Sequence, residues 1–403
     1  MYIDRAIGAT VDRLLRQFKV VLVTGPRQVG KTTLLQHMLS DTYRYVTLDD
    51  NQALSLALDD PALFFRNHVP PVVVDEVQYA QSLFRQIKVQ VDGSDRKGTI
   101  VLTGSQTFHL MQDVTESLAG RIAILQMSGL SWREIAGVDR QGSFMPEDSL
   151  VGEVSGLNDV GELWRRIHRG SMPELQNPDI EWGLYYSNYV RTYIERDVRS
   201  LIGIKDENLF YKFLVALAAR TGQLFNASSV ADDVGVTLKT IQQWTAVLET
   251  SGVVHVLRPY FTNVSKGLIK TPKLYFMDCG LACYLAGWTT PEVLEKGAMA
   301  GAMFETFVVS EILKSVLNAG EDLREVSFYR DTQKREIDLV LRRDAVVHPV
   351  EIKLSATPHK NMVRSFRVLD GLGVPVGTGA LICLADKSGY VTTNVITIPV
   401  DLI

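Results

Sequence analysis

An α/β fold is predicted by three observations. Residues 1–137 alternate short apolar runs with helix-patterned stretches; a glycine loop, GPRQVGKT, falls at 25–32 between one such run and one such helix; and period-two runs, REIDLVL and HPVEIKL, follow a long helical pattern late in the chain. Alternation of strand and helix argues for a parallel sheet covered by helices. At roughly 150 residues per domain, 403 residues make two to three domains.

The elements follow in order. Val20–Val23, Tyr45–Leu48, Val72–Val74, Ile100–Leu102 and Ile122–Leu125 are the strands expected of the first domain, 1–137. Residues 138–160 are rich in Gly, Ser and acids without a sustained period, and are expected to be a linker or exposed loop. Residues 161–272 are predicted to be helical, with a winged-helix-like module over 209–260. Residues 273–403 are predicted to form a small α/β domain.

Composition narrows the function classes. With 46% hydrophobic residues the chain is too apolar for wholesale disorder, and a net charge of −4 excludes a histone-like polycation. Three cysteines cannot make a disulfide framework. No basic-then-apolar leader follows Met1, and no apolar run nears the ~20 residues of a membrane span, so a soluble, cytoplasmic protein without membrane partners is expected.

The glycine loop fits G-x-x-x-x-G-K-[ST] without mismatch, with KVVLVT before it and TTLLQHML after it. Gly25 and Gly30 let backbone N–H groups face phosphates, and Pro26, Arg27, Gln28, Val29 and Thr33 complete the cradle. Lys31 reaches the β/γ phosphates and Thr32 supplies a hydroxyl to Mg²⁺, so ATP and Mg²⁺ are the expected cofactors. PVVVDE, at 71–76, is an apolar strand ending in two acids. Asp75 is placed to hold Mg²⁺ and Glu76 to polarise the attacking water. In IVLTGS (100–105), Ser105 is the expected γ-phosphate sensor, with Thr103 and Gln106 as alternates. Arg121, in ESLAGR, is a candidate arginine finger acting in cis or in trans.

GPRQVGKT, LDD (48–50), VVVDE, LTGSQ (102–106) and ESLAGR, with RTYIERDV (191–198) and KLYFMDCGLA (273–282), resemble the prokaryotic AAA-type ATPases that carry an uncharacterised, nuclease-like C-terminal domain. The resemblance spans nearly the whole chain apart from 138–160. It implies an ATPase core, a winged-helix-like middle, a restriction-endonuclease-like end, and a homo-oligomer, a hexameric ring being one form. Its members have no shared biological role to transfer.

Residues 228–257 have helix-turn-helix grammar: a capped short helix, Gly235 at the turn, and Thr237 capping a second helix. Ile241, Trp244 and Leu248 face the core, leaving Lys239, Thr240, Gln242, Gln243 and Thr245 for DNA. Residues 207–273 hold seven basic and four acidic residues, a local +3.

REIDLVL (335–341) and HPVEIKL (348–354) are predicted to pair as a hairpin, bringing Asp338 beside Glu351 and Lys353. This resembles the D…E-x-K core of restriction-type nucleases, in which the acids hold Mg²⁺ and the lysine stabilises charge. Glu305 sits on an apolar stripe with Val309 and Ile312, a costly place for a carboxylate without a partner, and is the expected fourth member.

Together these predict an ATP-hydrolysing motor or switch acting on DNA, including branched DNA. The alternatives are a nucleotide-controlled scaffold with a protein partner and a silent C-terminal domain, and an ATP-licensed, metal-dependent nuclease.

Overall fold

The five apolar runs of the first domain form one parallel sheet in the computed structural model, which describes residues 2–104, 118–138, 142–157, 159–194, 206–260 and 269–403. β1 (Val20–Thr24), β2 (Arg44–Thr47), β3 (Val72–Asp75), β4 (Ile100–Gly104) and β5 (Ile122–Gln126) lie in the order β2-β3-β4-β1-β5. Successive side chains leave opposite faces. Val20 and Leu22 therefore join a core with Phe64, Phe84 and Ile87, while Val21 and Val23 join another with Val11, Leu34 and Leu35. Burial on both faces explains why β1, β3 and β4 read as unbroken apolar runs.

The second core does not stop at this domain. It continues through Trp164 and Tyr186 to Phe213, Leu248, Phe304 and Ile398. Helices Glu207–Ala218, Ala227–Val234 and Leu238–Thr250 pack beside an antiparallel sheet of β6 (Gln223–Leu224), β7 (Val254–Leu257) and β8 (Lys273–Phe276), ordered β6-β8-β7. The buried helix Ala300–Ala319 leads to a mixed sheet ordered β13-β14-β12-β11-β10-β9. Its strands are β9 (Val326–Arg330), β10 (Glu336–Arg343), β11 (Val346–Ile352), β12 (Gly379–Cys383), β13 (Gly389–Thr392) and β14 (Val395–Pro399). The chain after β7 hydrogen-bonds along β9, with Tyr260 N to Phe328 O at 2.6 Å, so this sheet edge is covered. No described helix is long and apolar enough to cross a membrane.

Residues 142–157 are not a free tether. Phe144 and Leu150 are buried, Phe144 N donates to Ser315 Oγ (2.9 Å), and Ser155 Oγ donates to Asp401 (2.8 Å). The Gly/Ser-rich composition marks irregular backbone, but two large apolar side chains dock that backbone on the C-terminal part.

A buried carboxylate ties the helical region together. Asp278, at the N-cap of helix Cys279–Leu285, accepts from Ser171 N, Ser171 Oγ, Tyr186 Oη and Leu281 N, each at 2.6 Å. Burial and the Asp278 charge push the Tyr186 phenol well up, so it stays a donor. Asp278→Ala strands these donors at a cost of about 3 kcal/mol or more. It is expected to lower the melting midpoint in a thermal scan by roughly 5–10 °C. Asp278→Asn, which keeps one acceptor, is expected to fall between the two.

Candidate functional site

The nucleotide-binding geometry is built where β1, β3 and β4 end. Gly25 takes φ +137°, and a Cβ there would lie 2.0 Å from the Met127 carbonyl oxygen, so only glycine allows the loop to leave β1 against β5's exit. Gly30, at φ +93°, opens helix Lys31–Leu39, whose N-terminus faces the loop. Lys31 is buried and its ammonium donates to the Gly25 and Pro26 carbonyls at 2.9 and 2.8 Å.

Thr32 Oγ1 donates to Asp75 at 3.0 Å. Asp75 also accepts from Tyr45 Oη (2.6 Å) and from the Thr103 hydroxyl. The Thr103 oxygen in turn accepts from Glu76 N (3.2 Å). Glu76 adopts φ +57°, a left-handed conformation uncommon for a non-glycine residue, and its carboxylate accepts from Gln78. The Thr32 hydroxyl and Asp75 carboxylate are hard oxygen donors side by side, a set that fits Mg²⁺ beside a bound nucleotide.

The loop is gripped from outside its own domain. Gln28 Oε1 accepts from Tyr185 Oη at 2.8 Å, and Gly252 backs onto Pro26 so closely that a Cβ would lie 3.1 Å from its ring. From behind, Arg5 donates to Val29 O (2.7 Å) and Ser128 O (2.8 Å) and pairs with Glu134 at 3.0 Å. Arg27 is half-buried and Thr33 exposed.

Other expected residues fall elsewhere. Ser105 and Gln106 lie outside the described residues; of the sensor set, Thr103 is placed on Asp75. Arg121 precedes β5, at the amino edge of the sheet, a strand's length from the loop, and pairs with Asp92 (Nε to Oδ1, 2.6 Å) on the surface. That position removes any role on this chain's own nucleotide. Lys239, Gln242 and Gln243 are exposed on helix Leu238–Thr250, and Thr240 bonds Thr237 at 2.8 Å. Thr245 is buried and donates to Ile241 O (2.8 Å), so it leaves the free face expected of it.

The C-terminal carboxylates do converge. Asp338 accepts from Ile352 N at 2.8 Å across the β10–β11 hairpin and lies 3.4 Å from Lys353, which lies 2.6 Å from Glu351. Glu305 accepts from Tyr275 Oη at 2.6 Å and from Lys273 at 2.9 Å. Lys273, Tyr275 and Glu336 were not anticipated as members. Glu336 carried a signal, lying two residues before Asp338 on the same strand face. Lys273 carried only its place at the start of an apolar strand. Burial and the Asp338 charge push the Glu351 carboxyl up to about 8, against Lys353, and raise Glu305 as well. Burial opposes the charge on Lys273, but Glu305, Asp338 and Glu336 override it and hold the ammonium above its ordinary range.

Among the described residues no three His, Cys, Asp or Glu side chains are grouped as a metal-binding set, and lysines are ion-paired with these carboxylates. Of the residues expected to hold Mg²⁺, Glu305 and Asp338 are approached by Lys273, and Asp338 and Glu351 by Lys353.

Residues 17–136 match a family described as "AAA domain", residues 160–292 one described as "Domain of unknown function (DUF8612)", and residues 300–403 one described as "Domain of unknown function (DUF4143)". The first part of the chain thus carries an AAA-type P-loop fold. An uncharacterized protein of Mycobacterium tuberculosis is 29% identical over 367 residues, covering 90% of this chain and 76% of the relative. One of Haemophilus influenzae is 22% identical over 351 residues, covering 78% and 81%. The solved Walker-type ATPase of Pyrococcus abyssi shares 16% identity over 70% of this chain and 96% of its own, with a TM-score of 0.38.

The Glu351 shift has a signed consequence. With its carboxyl raised from 4.5 to about 8, the folded chain binds more protons than the unfolded between those values. Its contribution to stability is full at low pH and is lost as pH rises through about 8. Glu351→Gln is expected to flatten the fall in melting midpoint between about pH 6 and 9, measured in paired thermal scans.

Proposed function

We propose that the chain is a Mg²⁺-dependent ATPase that couples nucleotide turnover to nucleic acid. The observation carrying the ATPase reading is the Lys31, Thr32–Asp75 and Glu76 arrangement at the carboxyl edge of the sheet. On nucleotide binding, Lys31 exchanges the Gly25 and Pro26 carbonyls for the β/γ phosphates. Thr32 and Asp75 hold Mg²⁺, which neutralises phosphate charge. Glu76 accepts the proton of the attacking water as its oxygen bonds the γ-phosphorus and the bond to the ADP oxygen breaks. Ser105 remains the proposed sensor, and Arg121 is proposed to act only on the nucleotide of a neighbouring copy, which requires it to leave Asp92 and the copies to form a ring.

Tyr185 on Gln28 and Gly252 on Pro26 support a route from the nucleotide to the helical region. That region carries the proposed winged-helix contact with DNA, made by exposed Lys239, Gln242 and Gln243 with Thr240 at their edge. One basic residue among them suits weak contact with the DNA backbone.

A second reading, a nucleotide-controlled scaffold with a protein partner, is favoured by the salt-bridged C-terminal carboxylates. The same salt bridges weigh against a metal-dependent nuclease.

The test is steady-state ATP hydrolysis with single-stranded, duplex and branched DNA at fixed salt. Lys31→Ala is expected to abolish nucleotide binding. Glu76→Gln is expected to keep binding and lose roughly 10²–10⁴-fold in rate. Stimulation by one DNA form, weakened in Lys239→Glu/Gln242→Glu, is the expected result; a DNA-insensitive rate without low-salt DNA binding would move the assignment to the scaffold reading.

A further inference from the structure

The C-terminal constellation already holds a cation. Lys273 Nζ lies 2.9 Å from Glu305, 2.5 Å from Glu336 and 3.9 Å from Asp338, with 4% of its side chain exposed, and 5.7 Å from the centre of the Phe328 ring. An ammonium has three N–H donors and one positive charge, and here it meets carboxylates on three sides. From the other flank Lys353 lies 3.4 Å from Asp338 and 2.6 Å from Glu351, and Arg330 pairs with Glu336. A divalent ion instead needs carboxylate oxygens converging at about 2.0–2.6 Å.

The origin of the cation is the informative part. Lys273 belongs to β8, which pairs with β6 and β7 in the three-stranded sheet beside helix Leu238–Thr250. The acids belong to helix Ala300–Ala319 and to β10 and β11 of the six-stranded sheet. Tyr275, two residues along β8, points the same way and bonds Glu305. One strand of the middle region therefore supplies the groups that fill the acidic face of the next.

We propose that Lys273 stands in for a divalent ion in this constellation, making the C-terminal domain a metal-free lock against the three-stranded sheet. This holds whether or not the chain hydrolyses ATP, and Lys31→Ala leaves it untouched.

The experiment uses the full-length, nucleotide-free chain and reads Mn²⁺ binding by electron paramagnetic resonance together with thermal melting. Wild type and Asp338→Asn are expected to bind Mn²⁺ equally, with no site that depends on Asp338. Lys273→Met is expected to melt about 5 °C or more below wild type. Millimolar Mn²⁺ is expected to recover part of that loss in Lys273→Met and to leave wild type unchanged. A wild-type Mn²⁺ site that Asp338→Asn abolishes would overturn the proposal, because a metal would then displace the lysine. An unshifted Lys273→Met, or a lowered one that Mn²⁺ does not recover, would overturn it equally. If Lys273→Met does not fold, the wild-type and Asp338→Asn comparison decides alone.

Discussion

Everything at the nucleotide end hangs on the Asp75 carboxylate. It ends β3 and collects the hydroxyls of Thr32, Tyr45 and Thr103, which belong to the loop helix, β2 and β4. A parallel sheet brings all its strand ends to one edge, which is why such sheets bind ligands there. Asp75 turns that shared edge into a fixed arrangement. Burying a carboxylate costs several kcal/mol unless it is hydrogen-bonded, about as much as a small domain can spare. Its three donors are all neutral hydroxyls, so the charge is oriented without being cancelled. Glu76 is placed by the same set, because the Thr103 oxygen that donates to Asp75 also receives the Glu76 N–H.

The second constraint is that the glycine loop is not the property of one domain. Arg5 braces it from behind, Tyr185 reaches Gln28, and Gly252 closes on Pro26. The core behind it runs unbroken into the helical region. A movement of the loop therefore meets close-packed side chains, which transmit strain because interiors have few voids in which to absorb it. Gly252 makes this plain, since any side chain there would press on Pro26.

Local pattern carried much of this organisation. The central strands β1, β3 and β4 were legible because burial on both faces forces continuous apolar runs, and the loop because left-handed φ values demand glycine at 25 and 30. The β10–β11 hairpin was legible from alternation alone, and it does set Asp338 beside Lys353 and Glu351. What stayed hidden depends on contacts between distant segments. Arg121 follows a helix-like run and precedes a strand, yet local sequence does not say that β5 is parallel to β1, and this puts Arg121 at the wrong edge. Thr245 lies one helical turn after Ile241 and so falls on the buried side, where its hydroxyl finds a backbone carbonyl. Arg5, Tyr45, Asp278 and Lys273 each act on residues far along the chain, and no short window contains both partners.

The carboxylates at Asp75 and Asp338 show why residue type does not decide chemistry. At Asp75 the hydrogen-bonding partners are the hydroxyls of Thr32, Tyr45 and Thr103, which donate but carry no charge. At Asp338 the neighbours are ammonium groups, with Lys273 among Glu305, Glu336 and Asp338 and Lys353 on the far flank. A metal entering there has to expel a buried, strongly held positive charge before it gains a ligand. Breaking a buried ion pair costs about 3–5 kcal/mol. The D…E-x-K spacing is common to a metal site and to an ion-paired sheet face; the lysine that distinguishes them comes from another strand, sixty-odd residues earlier in the chain than Asp338.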